Sequence, residues 1–124
     1  MARLSYMTVG SRDLDRAMAF YDELLGSIGM AKVFDHPRGG RLYAAKGVGM
    51  FGVLKPYDGE EACVGNGSMC GFSFESTEEV DAFHAKALEL GGTDEGQPGP
   101  RLPNTYFAYF RDLDGNKLCA YKLG

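Results

Sequence analysis

The chain has 124 residues, a net charge of −4 and a pI near 5.1, with its Lys and Arg residues scattered. That balance argues against nucleic-acid binding, which normally shows a basic patch, and against a polybasic membrane anchor. No apolar run approaches the roughly 18 residues a bilayer span needs, and MARLSYMTV lacks the apolar region of a signal peptide. The three cysteines, Cys63, Cys70 and Cys119, have no CxxC spacing, which fits a reducing, cytoplasmic setting and neither a disulfide framework nor a zinc knuckle.

The chain opens with an alternating stretch, Leu4–Val9, that reads as a strand: Leu4, Tyr6 and Thr8 on one face, Ser5, Met7 and Val9 on the other. After Gly10-Ser11, with Ser11 or Asp13 as cap, an amphipathic helix follows. Its apolar stripe is Leu14, Ala17, Met18, Tyr21, Leu24 or Leu25, and Ile28. Three short strands are expected near 31–35, 41–46 and 50–55, separated by Pro37–Gly40 and Gly47–Gly49. Pro56 and the polar stretch Tyr57–Gly67 then form a linker.

The opening pattern returns 63 residues on, so that Phe20 falls on Phe83, Ala19 on Ala82, Leu25 on Leu88 and Tyr6 on Met69. Met69–Phe74 is the second strand of this kind, and Ser76-Thr77-Glu78-Glu79 has the form of a capping box opening a helix through Val80, Phe83, Ala87 and Leu88. His84 borders that stripe as a helix-edge histidine. The Pro- and Gly-rich stretch Gly96–Pro103 reads as a loop, whose Arg101 could meet an anionic ligand. Asn104–Arg111 and Lys117–Lys122 are strands, with Asp114-Gly115 as a two-residue hairpin turn between them.

The segments SRDLDRAMAFYDELLG, GNGSMCGFSF, VDAFHAKALELGGTDEG and RDLDGNKLCAY together make the chain similar to the vicinal oxygen chelate superfamily, which includes glyoxalase I-like lyases, extradiol dioxygenases and bleomycin-resistance proteins. The resemblance covers essentially the whole chain. It implies an α+β fold of two βαβββ modules, about 1–57 and 68–124, in one glyoxalase-like domain. Their mixed sheet would curl into a cup with helices on the outer face. It also implies a homodimer and a ligand held in the cup.

Catalytic relatives hold a divalent metal there through His, Glu or Gln side chains on the first and last strands of each half. The matching positions here are Tyr6, Met69, Cys119 and some residue of Met50–Lys55, and none of the four stretches contains His, Glu, Gln or Asp. The only histidines are His36, in a turn, and His84. A divalent site needs three or four converging N or O donors, so neither a metal nor another cofactor is expected, and the family's usual reaction does not transfer.

Tyr6, Phe51, Met69, Tyr106, Cys119 and Tyr121 remain as the expected lining of a largely apolar cup, suited to a small organic molecule. No catalytic residue stands out. Cys119 lacks a predictable base, and Lys117 lies two residues from it along the strand. The leading expectation is a metal-free small-molecule binder. The alternative is a lactoylglutathione lyase-like or dioxygenase-type enzyme with non-standard site residues.

Overall fold

The computed structural model describes residues 1–124 as two compact units, Met1–Val64 and Gly65–Gly124. The first unit contains β1 (Tyr6–Gly10), α1 (Leu14–Gly26), β2 (Ala31–Asp35), β3 (Gly40–Ala44) and β4 (Met50–Leu54). The second contains β5 (Cys70–Ser73), α2 (Thr77–Glu89), β6 (Thr93–Pro100), β7 (Thr105–Arg111) and β8 (Lys117–Leu123). Each unit is therefore βαβββ, and the two helices start and end 63 residues apart, at the offset of the sequence repeat. Strand order repeats as well: β1-β4-β3-β2 in one four-stranded sheet and β5-β8-β7-β6 in the other. In both, the first strand pairs in parallel with the last, because the helical crossover returns the chain in the same direction, while the remaining pairs are antiparallel. Neither helix is long and apolar enough to cross a membrane.

Local chemistry sets the helix starts. Asp13 caps α1 by accepting from the Arg16 N–H at 3.2 Å, and Ser11 accepts from the Asp13 N–H at 3.0 Å. Ser76 caps α2 by accepting from the Glu79 N–H at 3.2 Å, and its hydroxyl donates to the Glu79 carboxylate at 3.0 Å. Each helix covers one face of its own sheet. In the first unit Tyr21 is the hub, with its ring 5.0 Å from Phe20 and 4.9 Å from Phe51. In the second, Phe83 lies 5.2, 5.3 and 5.7 Å from the rings of Phe72, Phe74 and Phe110. His84 stands one repeat after Tyr21. It is buried, and its Nε2 lies 2.9 Å from Asp94 Oδ1, joining α2 to the start of β6.

Two expectations need correction. Most of the stretch read as a loop, Gly96–Pro103, belongs to β6. Proline is excluded from central strands because it cannot donate to the ladder, but β6 is an edge strand, and register shifts between Asp94 and Gly96 and between Gly96 and Gly99 absorb its irregularity.

The hairpin after β7 is also one residue longer than the expected turn. Arg111 pairs with Lys117, and the Asp112 N–H donates to the Asn116 carbonyl at 2.9 Å, leaving Leu113-Asp114-Gly115 as the loop. Gly115 has φ of 94°, the left-handed residue such a three-residue loop requires. Buried Asp112 organises it: its carboxylate accepts from the Asp114 N–H, the Asn116 N–H and the Asn116 side-chain amide, each at 2.9 Å. The RDLDGN motif is thus a hairpin-building device.

Candidate functional site

In the second unit the sheet face away from α2 carries the groups with chemical potential. β7 and β8 run antiparallel with Phe107 opposite Tyr121, Tyr109 opposite Cys119 and Arg111 opposite Lys117. Directly opposed residues project to the same face. Phe107 and Tyr121 stack at 5.1 Å with planes 13° apart, and Phe107 and Tyr109 at 5.8 Å with planes 11° apart. The result is a row of three nearly parallel rings, all partly exposed.

Two cations close the Tyr109 end of the row. Lys117 Nζ is 5.1 Å from the ring centroid, and the Arg101 guanidinium carbon is 5.6 Å from it. Arg101 donates to the Gln97 carbonyl at 2.7 Å and the Gly99 carbonyl at 3.0 Å, which hold it folded back over β6. This needs a glycine at 96, since a Cβ there would lie 2.9 Å from Tyr109 and 3.2 Å from Arg101. Neither Lys117 nor Arg101 has a carboxylate partner, whereas Arg111 pairs with Glu95 at 3.1 Å.

Cys119 lies under the same face, fully buried, with Gly71 beside its sulfur: a Cβ at Gly71 would be 3.2 Å from both Sγ and the Tyr121 ring. Burial pushes the Cys119 thiol up to about 11, a rise that Lys117 partly offsets. Burial, then the neighbouring Cys119, pushes Cys70 up to about 11 as well. Both are neutral thiols near pH 7, so neither is an activated nucleophile.

The expected lining residues divide between the faces. Cys119 and Tyr121 lie on the open face of the second unit, together with Met69 by strand alternation; Met69 is 44% exposed. Tyr106 is on the opposite face, and its hydroxyl donates to Asp81 of α2 at 2.7 Å. In the first unit Tyr6 pairs with Met50 on the face away from α1 and is 58% exposed. Phe51 instead points under α1 against Tyr21 and is buried. Phe51 and Tyr106 therefore belong to helix-facing layers. The residues sequence reasoning overlooked are Phe107 and Tyr109; a hairpin register counted from Lys117 to Arg111 would have found them.

A separate depression of about 420 Å³ is lined by Arg3, Leu4, Ser5 and Gly47–Gly49 in the first unit. It sets one cation, Arg3, beside the turn at Gly47–Gly49, and contains none of the expected site residues.

The metal implied by the resemblance can be tested on donor chemistry. Tyr6, the strand MFGVL, Met69 and Cys119 supply no imidazole, carboxylate or carboxamide, and the one thiol among them is held neutral. No three His, Cys, Asp or Glu side chains gather anywhere in a way that could hold a metal ion. The residues present do not fit such an ion.

No curated protein sequence matches the chain. Among solved structures, a glyoxalase/bleomycin resistance protein from Albidiferax ferrireducens T118 is 41% identical, with a TM-score of 0.88 over 98% of each chain. A lactoylglutathione lyase from Agrobacterium tumefaciens shares the fold at 22% identity, with a TM-score of 0.74 over 98% of this chain and 94% of that one. The fosfomycin resistance protein FosX from Listeria monocytogenes does so at 18% identity, with a TM-score of 0.74 over 100% and 95%. The model of the Glyoxalase/Bleomycin resistance protein/Dioxygenase superfamily matches residues 3–120, and with the duplicated βαβββ architecture this makes the chain a member of that superfamily.

Proposed function

We propose that this protein binds a small organic molecule on the open sheet face of its second unit, without a metal ion. The observation that carries the reading is the row of Phe107, Tyr109 and Tyr121, partly exposed beside a neutral thiol and two cations that lack carboxylate partners. Aromatic side chains bury a large area at little entropic cost, and a few polar groups beside them suffice to orient a ligand. Tyr6, on the open face of the first unit, is the corresponding exposed aromatic there.

Thermal melts with a panel of small aromatic and aliphatic compounds, with and without a chelator, test the proposal. A ligand that binds only the folded state raises the melting temperature in proportion to the logarithm of its concentration. The expected result is such a rise, equal with and without chelator, and lost in Tyr109→Ala. The reading is overturned if no compound shifts the melt, or if shifts appear only with about one divalent ion bound per chain. The second outcome would favour a lyase- or dioxygenase-type enzyme.

A further inference from the structure

Charge at one end of the ring row narrows the class of ligand, taking the open face as the binding site. An aromatic face by itself attracts cations, through its quadrupole. Here the Tyr109 ring already has Lys117 Nζ at 5.1 Å and the Arg101 guanidinium at 5.6 Å, so a further cation would meet like charge. Neither cation is neutralised by an acid, although the chain has 17 Asp and Glu residues against 13 Lys and Arg, and the adjacent Arg111 takes the Glu95 carboxylate. Arg101 is moreover held in place by backbone carbonyls of β6, with Gly96 leaving room for it. Two positive charges therefore stand at one end of an apolar row with no counter-ion from the chain.

We infer that the ligand is an organic anion with a flat apolar body. Its anionic group sits between Lys117 and Arg101, and its body lies along Tyr109, Phe107 and Tyr121. Charge-assisted hydrogen bonds from both cations hold the anion, and ring contacts hold the body. An arenecarboxylate is the simplest member of this class. The inference rests on the proposed binding face and adds the charge of what it accepts.

Three probes with one body and different charge separate the terms: 2-naphthoate, 2-naphthalenemethanol and 2-naphthylmethylammonium, titrated calorimetrically at low ionic strength. Naphthoate should bind at least about tenfold more tightly than the alcohol, and the ammonium probe most weakly. Lys117→Met should remove most of that preference, weakening naphthoate far more than the alcohol, Lys117→Arg should retain it, and Arg101→Met gives an independent second variant. Added salt should weaken naphthoate alone.

Equal binding of naphthoate and alcohol, both abolished in Tyr109→Ala, would overturn the anion class but leave the binding face standing. Tightest binding of the ammonium probe, equal loss of both naphthoate and alcohol in folded Lys117→Met, or binding of none of the three would also overturn the inference. The compound panel judges the binding face separately.

Discussion

Asp112→Ala should destabilise the second unit by about 3 kcal/mol, because it removes a buried carboxylate that organises the β7–β8 hairpin. The carboxylate accepts two backbone N–H groups and one side-chain amide, each at 2.9 Å. Hydrogen bonds to charged acceptors contribute about 1.5–3 kcal/mol each, but the three share one group and water can reach part of the turn, so the sum is well below additive. For 124 residues, an unfolding entropy of about 2.1 cal/mol/K per residue gives about 0.26 kcal/mol/K for the chain, and the loss corresponds to roughly 11 °C in Tm. Asp112→Asn keeps the shape and an acceptor for the backbone donors, but sets its own NH2 against that of Asn116; it should cost about 1 kcal/mol. Urea and thermal unfolding of both variants, with exposed Glu61→Ala as control, measure this. A change below about 0.5 kcal/mol for Asp112→Ala, no larger than an ordinary surface substitution, would refute the argument.

Other outcomes follow from single positions. Gly40→Ala should fail to fold or melt far below wild type, since Gly40 has φ of 114° and an added Cβ would overlap the Val53 carbonyl oxygen and lie 2.7 Å from Leu54 Cα; a wild-type melt would contradict the β3–β4 register. Asp94 has its carboxyl held below the ordinary value, chiefly by the Gly96 N–H, against burial, which raises it and is the next largest influence, with smaller lowering from His84 and Gln97. Such a group contributes stability that is fully present above its ordinary pKa of about 3.9 and is lost as pH falls through the lower folded value. Asp94→Asn should therefore narrow the gap to wild type as pH is lowered through that window, and a pH-independent gap in urea midpoints would refute it. Iodoacetamide should modify exposed Cys63 first, with Cys70 and Cys119 reacting slowly near pH 7 because burial raises both to about 11; fast labelling of Cys119 by mass mapping would contradict this.

The duplicated fold was legible because its signals are local. Ser76 with Glu79, Asp13, and the apolar stripes each fix a helix from a few neighbouring residues, and the 63-residue repeat aligns α1 with α2. The face of each strand was harder, since alternation alone does not anchor it. A two-residue Asp114-Gly115 turn would place Leu113 opposite Asn116 and therefore Cys119 opposite Phe110, bringing Tyr106 onto the Cys119 face. The buried Asp112 adds one residue to the loop, so Tyr109 faces Cys119 and Tyr106 turns toward α2. One residue of register exchanges every side chain between faces. Phe51 was misplaced by the same step, because Tyr6 pairs with Met50. β6 was missed because its prolines forbid a central strand, and only the three-dimensional order shows that it lies at an edge.

In the proposed site an organic molecule is held by ring and cation contacts on the second unit's open face, with no ion needed. Amide and aromatic NMR shifts on titrating 2-naphthoate into chelator-treated protein test it most directly. The shifts should concentrate at Phe107, Tyr109, Lys117 and Tyr121 and stay unchanged when a divalent metal is added. Shifts centred elsewhere, or arising only after metal is supplied, would contradict it.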